Sequence, residues 1–198
     1  MKFNRKGFVL AVLVLVVVMV VPGCITIDGS GIGMTTTDTF DQTYAVTAGT
    51  HLDVRNQNGS ITIVPSDGDG IVVHAVKRTN YGKSEFDKIQ IEVTKGDPFT
   101  VTTKVLREPA RVSVDYELRV PRSMLVRTAE TTNGSIEATG VKGTMDLRTS
   151  NGSIKAENID GAVRAATTNG SITVRKVTAV TGVTTTNGSI ECEVAALD

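Results

Sequence analysis

The chain has 198 residues, with Lys plus Arg and Asp plus Glu balanced at 21 each and a formal net charge of zero. No basic run or stripe marks a nucleic-acid surface, and no acidic excess marks a cation-buffering one. Aromatic residues make up 4% of the chain and Trp is absent, which argues against a base-stacking platform or a sugar-stacking groove.

At the amino terminus Lys2, Arg5 and Lys6 precede an apolar run from Phe8 to Val21, which ends in Val21-Pro22-Gly23-Cys24. This is the layout of a signal peptide over residues 1–23. A small residue before a cysteine, directly after the apolar run, resembles the lipobox of prokaryotic lipoproteins, so Cys24 is the expected lipidation site. The other reading is an uncleaved anchor, since the run approaches the roughly 17 residues that span a bilayer. Both readings put the rest of the chain on the extracytoplasmic side of a cell membrane, with membrane lipid as a partner through the amino-terminal anchor. Acyl chains contribute about 0.8 kcal/mol per buried methylene, so two or more hold a protein firmly. Residues 24–39 are rich in Gly, Ser and Thr without steady alternation, as in Ile25 to Asp38, and predict a flexible tether.

Residues 40–198 predict a single all-β domain. Short alternating segments recur at Leu52 to Val54, Ile61 to Val64, Ile71 to Val76, Ile89 to Val93, Phe99 to Leu106 and Val112 to Val120. Pro65, the run Asp67 to Gly70, Gly96-Asp97-Pro98 and Pro109 punctuate them. Residues 40–130 thus predict irregular strands that cap one end, with one Asn-Gly-Ser-Ile of their own at Asn58.

From residue 131 to 198 that phrase becomes periodic. It begins at Asn133, Asn151, Asn169 and Asn187, always 18 residues apart. A unit this short cannot bury its own apolar face and has to stack on its neighbours, which predicts a right-handed β-helix or β-solenoid with 18-residue coils. Asn and Gly tolerate positive φ, so the pairs Asn58-Gly59, Asn133-Gly134, Asn151-Gly152, Asn169-Gly170 and Asn187-Gly188 are the expected corners. The alternation after each corner points Ile inward, giving a core column of Ile61, Ile136, Ile154, Ile172 and Ile190. Burying each such side chain is worth about 1.5 to 3 kcal/mol. Further inward columns are Ala138, Ala156, Val174 and Cys192, then Val141, Ile159 and Val177, then Met145 and Leu147 with Val163 and Ala165. Thr181 falls where Met145 and Val163 stand and loosens the pattern. With Cys24 assigned to lipid, Cys192 has no disulfide partner and is expected as a small buried hydrophobe.

The stretch Val114-Asp115-Tyr116-Glu117-Leu118-Arg119-Val120-Pro121, followed by Thr-Asn-Gly-Ser-Ile coils, resembles a family of prokaryotic envelope proteins known as putative adhesins. The resemblance spans about Phe40 to the end. It implies a β-helix-like fold, an envelope location and no catalytic residues.

Other chemistries are weaker. Asn-Gly-Ser satisfies the Asn-x-Ser glycosylation pattern, but corner geometry with Asn stacked on Asn already explains the phrase. Asp67-Gly68-Asp69-Gly70 lacks the terminal Glu and further ligands of a calcium loop, so no metal is expected, nor any other cofactor. An enzyme on such a scaffold needs carboxylates converging on one groove. Instead Glu137, Lys155, Thr173 and Glu191 share one outward column, and Glu157, Arg175 and Glu193 another, which predicts a solvated face with mixed charges. His51 and His74 lie in separate strands without a recognisable Ser or Asp around them. Adjacent threonines such as Thr131-Thr132 put only one hydroxyl of each pair outward, which disfavours an ice-binding face. The expected role is a membrane-anchored lipoprotein that works as a binding or structural surface, with a protein or glycan partner, no nucleic acid and no catalysis of its own. The alternative is a carbohydrate-active enzyme on envelope or extracellular polysaccharide. The last coil leaves a strand edge, and two outcomes stand open: self-association through that edge, or a monomer whose edge is shielded by Glu191, Glu193 and a folded-over tail.

Overall fold

The computed structural model describes residues 35–195. The expected signal peptide, residues 1–23, and the expected lipidation site Cys24 lie outside the described residues. Strand covers 67% of what is described and helix 4%, so the fold is all-β, with the sheet curled as a half-barrel.

Thirteen strands form the sheet: β1 (Thr36–Ala45), β2 (His51–Arg55), β3 (Ile61–Ser66), β4 (Gly70–Thr79), β5 (Ile89–Thr94), β6 (Phe99–Val105), β7 (Ser113–Pro121), β8 (Leu125–Glu130), β9 (Ile136–Thr139), β10 (Met145–Arg148), β11 (Ile154–Asn169), β12 (Ile172–Asn187) and β13 (Ile190–Val194). A short 3-10 helix, Lys83–Lys88, precedes β5. One run of neighbours goes β1, β4, β7, β3, β9 and on to the first half of β11. The other goes β5, β6, β2, β8, β10 and on to the second half of β11. Both runs draw their inner side chains from one core, which includes Ile61 and Ile136 from the first and Leu52 and Leu147 from the second.

The repeat period is visible as strand register. Ile154 pairs with Ile136 on one side and Ile172 on the other, Ile172 pairs with Ile190, and every pairing is parallel. Parallel pairing follows because each repeat brings the chain back in the same direction one rung along. The 16-residue strands β11 and β12 serve both runs by bending midway, at Asn158 (φ 54°) and Lys176 (φ 51°). Gly140 (φ 68°) stands at the equivalent place one repeat earlier.

The stack starts earlier than expected. Residues 40–130 are not merely a cap of irregular strands, because β2 and β3 flank the Asn58 corner and pair with β8 and β9 as a full rung. Before them β6 and β7 form another, pairing in parallel with β2 and β3. The antiparallel strands β1, β4 and β5 close this end. The tether expected through residue 39 gives way to strand at Thr36, since the β-branched run Thr35 to Thr37 lies beside β4 and Thr36 pairs with Thr79.

Two side-chain placements differ from the sequence pattern. Val163 pairs with Val180 rather than Thr181, because a bulge takes up one residue before Arg164 meets Gly182. Thr181 then donates its hydroxyl to the Val163 carbonyl. Cys192 is exposed rather than buried, and Ile190 is 47% exposed, because β13 pairs only with β12 among the described residues. An inward column buries a side chain only where a further rung covers it.

Candidate binding surface

Each residue of the repeated phrase has a place in the stack. Asn133 donates Nδ2 to the Oδ1 of Asn58 at 2.7 Å, and Asn151, Asn169 and Asn187 each donate to the preceding Asn at 2.8 Å. The first Thr of each pair turns inward and is buried at 131, 149 and 167. Thr149, Thr167 and Thr185 donate their hydroxyls to the carbonyls of Gly134, Gly152 and Gly170 at 2.8 to 2.9 Å. The serines form a third line, with Ser153 N donating to Ser135 Oγ and a hydrogen bond between Ser189 Oγ and Ser171 Oγ. The glycines let these lines approach: a Cβ on Gly152 would lie 2.1 Å from the carbonyl oxygen of Gly134.

At the first corner other residues supply the same groups. Asn56 occupies the Thr position and donates Nδ2 to the Val114 carbonyl at 2.7 Å. Asp115 ends the serine line, accepting from both the N–H and the hydroxyl of Ser60 at 2.8 Å.

Of the core column, Ile61, Ile136, Ile154 and Ile172 are buried and Ile190 is not. The corner asparagines are brought into one line and the corner glycines into another. The corners are used by the stack itself, and of these residues only Asn58, at the end of the asparagine line, borders a concavity.

The outer face is laced with ion pairs. Lys155 reaches Glu137 at 3.1 Å and Glu157 at 3.2 Å, and Arg175 reaches Glu191 at 2.5 Å. Glu137, then Glu157, holds the Lys155 ammonium above its usual range, and Glu191 does the same for Arg175. Such exposed pairs are each worth about 0 to 1 kcal/mol and cancel charge locally. His51 and His74 face Asp97 and Asp41 respectively, in separate places. The His51 backbone N–H, and then its ring, hold Asp97 below the usual carboxylate range. Buried Asp53 takes two hydrogen bonds from Arg127, which raise the guanidinium pKa. Among the described residues no three His, Cys, Asp or Glu side chains gather as metal ligands do. Among the described residues Cys192 has no disulfide partner, and β13 pairs with β12 alone.

An open concavity of about 470 Å³ lies beside the first corner. It is formed by the end of β4 with residues 80–81, by residues 110–113, and by Thr35 and Asn58. Apart from Asn58, none of its residues belongs to the repeated phrase, so no sequence pattern brings them together. The one signal was Tyr81, one of three tyrosines in an aromatic-poor chain and 59% exposed.

Neither a family model nor a curated protein matches this chain. Solved structures do. A "putative cell adhesion protein" from Clostridium sporogenes superimposes with a TM-score of 0.54 at 10% identity, over 79% of this chain and all of that one. At that identity the likeness is one of fold. "Putative adhesin" structures from Bacteroides fragilis and Parabacteroides distasonis match with TM-scores of 0.28 and 0.31, at 14% and 12% identity. They cover 80% and 79% of this chain and 94% and 79% of their own.

Proposed function

We propose that this chain is a lipid-anchored extracytoplasmic lipoprotein whose 18-residue repeats wind as a right-handed β-solenoid and present an adhesin-like binding surface, without catalysis of its own. The observation that carries this reading is the use of the repeat's polar groups: Asn and Ser bond their equivalents one repeat away, Gly abuts its own, and Thr donates to the Gly carbonyl of the preceding repeat. A phrase spent on stacking builds a scaffold, and leaves recognition to the outer faces and the ends. Parallel register at 18 residues supports coils, and parallel crossovers in proteins are almost always right-handed. The run Val21-Pro22-Gly23-Cys24 supports the anchor. The fold shared with a Clostridium structure described as a cell-adhesion protein supports the role.

Two measurements test the reading. Mass spectrometry of the mature amino terminus should find Cys24 as an acylated first residue, and Cys24→Ser should release the protein from membranes or leave it unprocessed; an intact Met1 without acyl mass overturns the anchor. Glycan and protein arrays should give saturable binding without product. Turnover of an envelope or extracellular polysaccharide would instead favour a carbohydrate-active enzyme.

A further inference from the structure

The line of asparagine amides has a direction. Asn187 donates to Asn169, which donates to Asn151, then Asn133, then Asn58. Asn58 accepts at Oδ1, and among the described residues nothing accepts from its Nδ2. Hydrogen bonds in a chain polarise one another, so the terminal N–H is a stronger donor than a lone amide. Asn58 lines the open concavity beside the first corner.

The floor of that concavity is built rather than loose. Thr79, 4% exposed, donates its hydroxyl to the Arg111 carbonyl at 2.7 Å and accepts from the Tyr81 N–H at 3.2 Å. The Arg111 guanidinium carbon sits 4.4 Å from the centre of the Tyr81 ring, which holds it by a cation–π contact. The nearby acids are engaged elsewhere. Asp115 takes Arg78 and Ser60, Glu85 takes Lys88 and the Arg111 backbone N–H, and Glu108 takes the Ala110 N–H. The Arg111 guanidinium therefore makes no ion pair among the described residues, with Glu85 acting on it only through space. Asn80 accepts from Thr35 through Oδ1, which leaves its amide N–H groups as further donors.

The geometry points to a site for an acidic saccharide, its carboxylate taken by the Arg111 guanidinium, with the Asn58 amide N–H a further donor lining the same concavity. A planar guanidinium matches a carboxylate in two hydrogen bonds, and a volume of about 470 Å³ suits one or two sugar rings whose hydroxyls meet Asn80 and Ser113. This inference rests on the binding-surface reading and names its ligand class.

The test is calorimetric titration of the full chain, in a zwitterionic detergent, with trigalacturonate, its methyl ester, and vesicles of anionic phospholipid. Trigalacturonate should bind saturably, and the methyl ester about tenfold or more weaker, as befits the loss of a charged hydrogen bond. Arg111→Ala should weaken trigalacturonate by a similar factor and Arg111→Lys by less, with melting temperatures unchanged. Lys155→Ala, on the outer face, should bind as the parent does. Equal affinity for acid and ester, an unaffected Arg111→Ala, or binding to vesicles alone overturns the proposal. Saturable array binding to some other ligand would then leave the binding-surface reading standing, whereas no binding on any array removes both.

Discussion

Asn151 donates its Nδ2–H to the Oδ1 of Asn133 across 2.8 Å, and the two residues are also paired as a parallel bridge through their backbones. Each corner is thus fastened to the next by main chain and side chain together. Asn151→Ala breaks a link in the middle of the line and strands a donor and an acceptor on either side. Urea denaturation should show a loss of about 1 to 2 kcal/mol, against less than about 0.5 for the neighbouring Ser150→Ala. Equal losses would mean that the amide line adds nothing to the backbone pairing.

Gly152→Ala should be among the most damaging single changes. Its Cβ would meet the Gly134 carbonyl oxygen at 2.1 Å and the carbonyl carbon at 2.5 Å, both backbone atoms that cannot rotate away. A loss of about 3 kcal/mol or more, or no folded protein, is expected. Gly182 has only the Arg164 Cγ within reach, at 3.9 Å, so Gly182→Ala should be neutral or stabilising by up to about 1 kcal/mol. Thermal melts of both variants decide this.

The core column should weaken towards its open end. Ile154 is 1% exposed, so Ile154→Ala should cost about 2 to 5 kcal/mol. Ile190 is 47% exposed, so the same change there should cost less than about 1 kcal/mol. Lys155→Ala, on the outer side of the same strand, should cost less than about 0.5 kcal/mol. Similar losses at 154 and 155 in denaturant melts would reverse the assignment of faces.

Lys176 holds a left-handed backbone at φ 51°, where the repeat before it has Asn158 and the one before that Gly140. A left-handed non-glycine residue costs about 1 to 2 kcal/mol, less for Asn, whose side chain bonds locally. Because the Lys176 side chain is exposed, Lys176→Asn should raise stability by about 0.5 to 1 kcal/mol. An unchanged or lowered melting temperature would show that the corner carries no strain.

Glu85 contributes a pH dependence. Its carboxylate accepts from the Lys88 ammonium and the Arg111 backbone N–H, and the Lys88 hydrogen bond is the larger cause of a pKa below the usual carboxylate value. A carboxylate depressed in the folded state adds stability above its unfolded pKa, and that stability is lost as pH falls through the folded value. Stability measured on acidification should therefore fall less steeply for Glu85→Gln than for the parent. Parallel acid limbs would exclude Glu85 as a contributor.

How much of this was legible depends on whether a feature is local or repeated. The 18-residue spacing of Asn-Gly-Ser-Ile predicted which residues stack, because a period-2 alternation restarted at each corner leaves one register with apolar side chains inside. Ile136, Ile154 and Ile172 come together in that register, and Ala138, Ala156 and Val174 beside them. The first corner was legible through Asn58, although Asn56 standing in for Thr and Asp115 closing the serine line were not, since neither resembles the residue it replaces.

The sequence by itself determined the all-β class, the corner chemistry and the inward columns, because each follows from steric rules that act over a few residues and then recur. Only the tertiary structure decided that β7 lies between β4 and β3, that Thr181 is bulged out, and that Ile190 and Cys192 are exposed. The concavity around Arg111, Tyr81 and Asn58 belongs to the same class. Its walls come from four separate parts of the chain, at Thr35, Asn58, residues 78–81 and residues 110–113, joined by strand pairings whose partners no local pattern names.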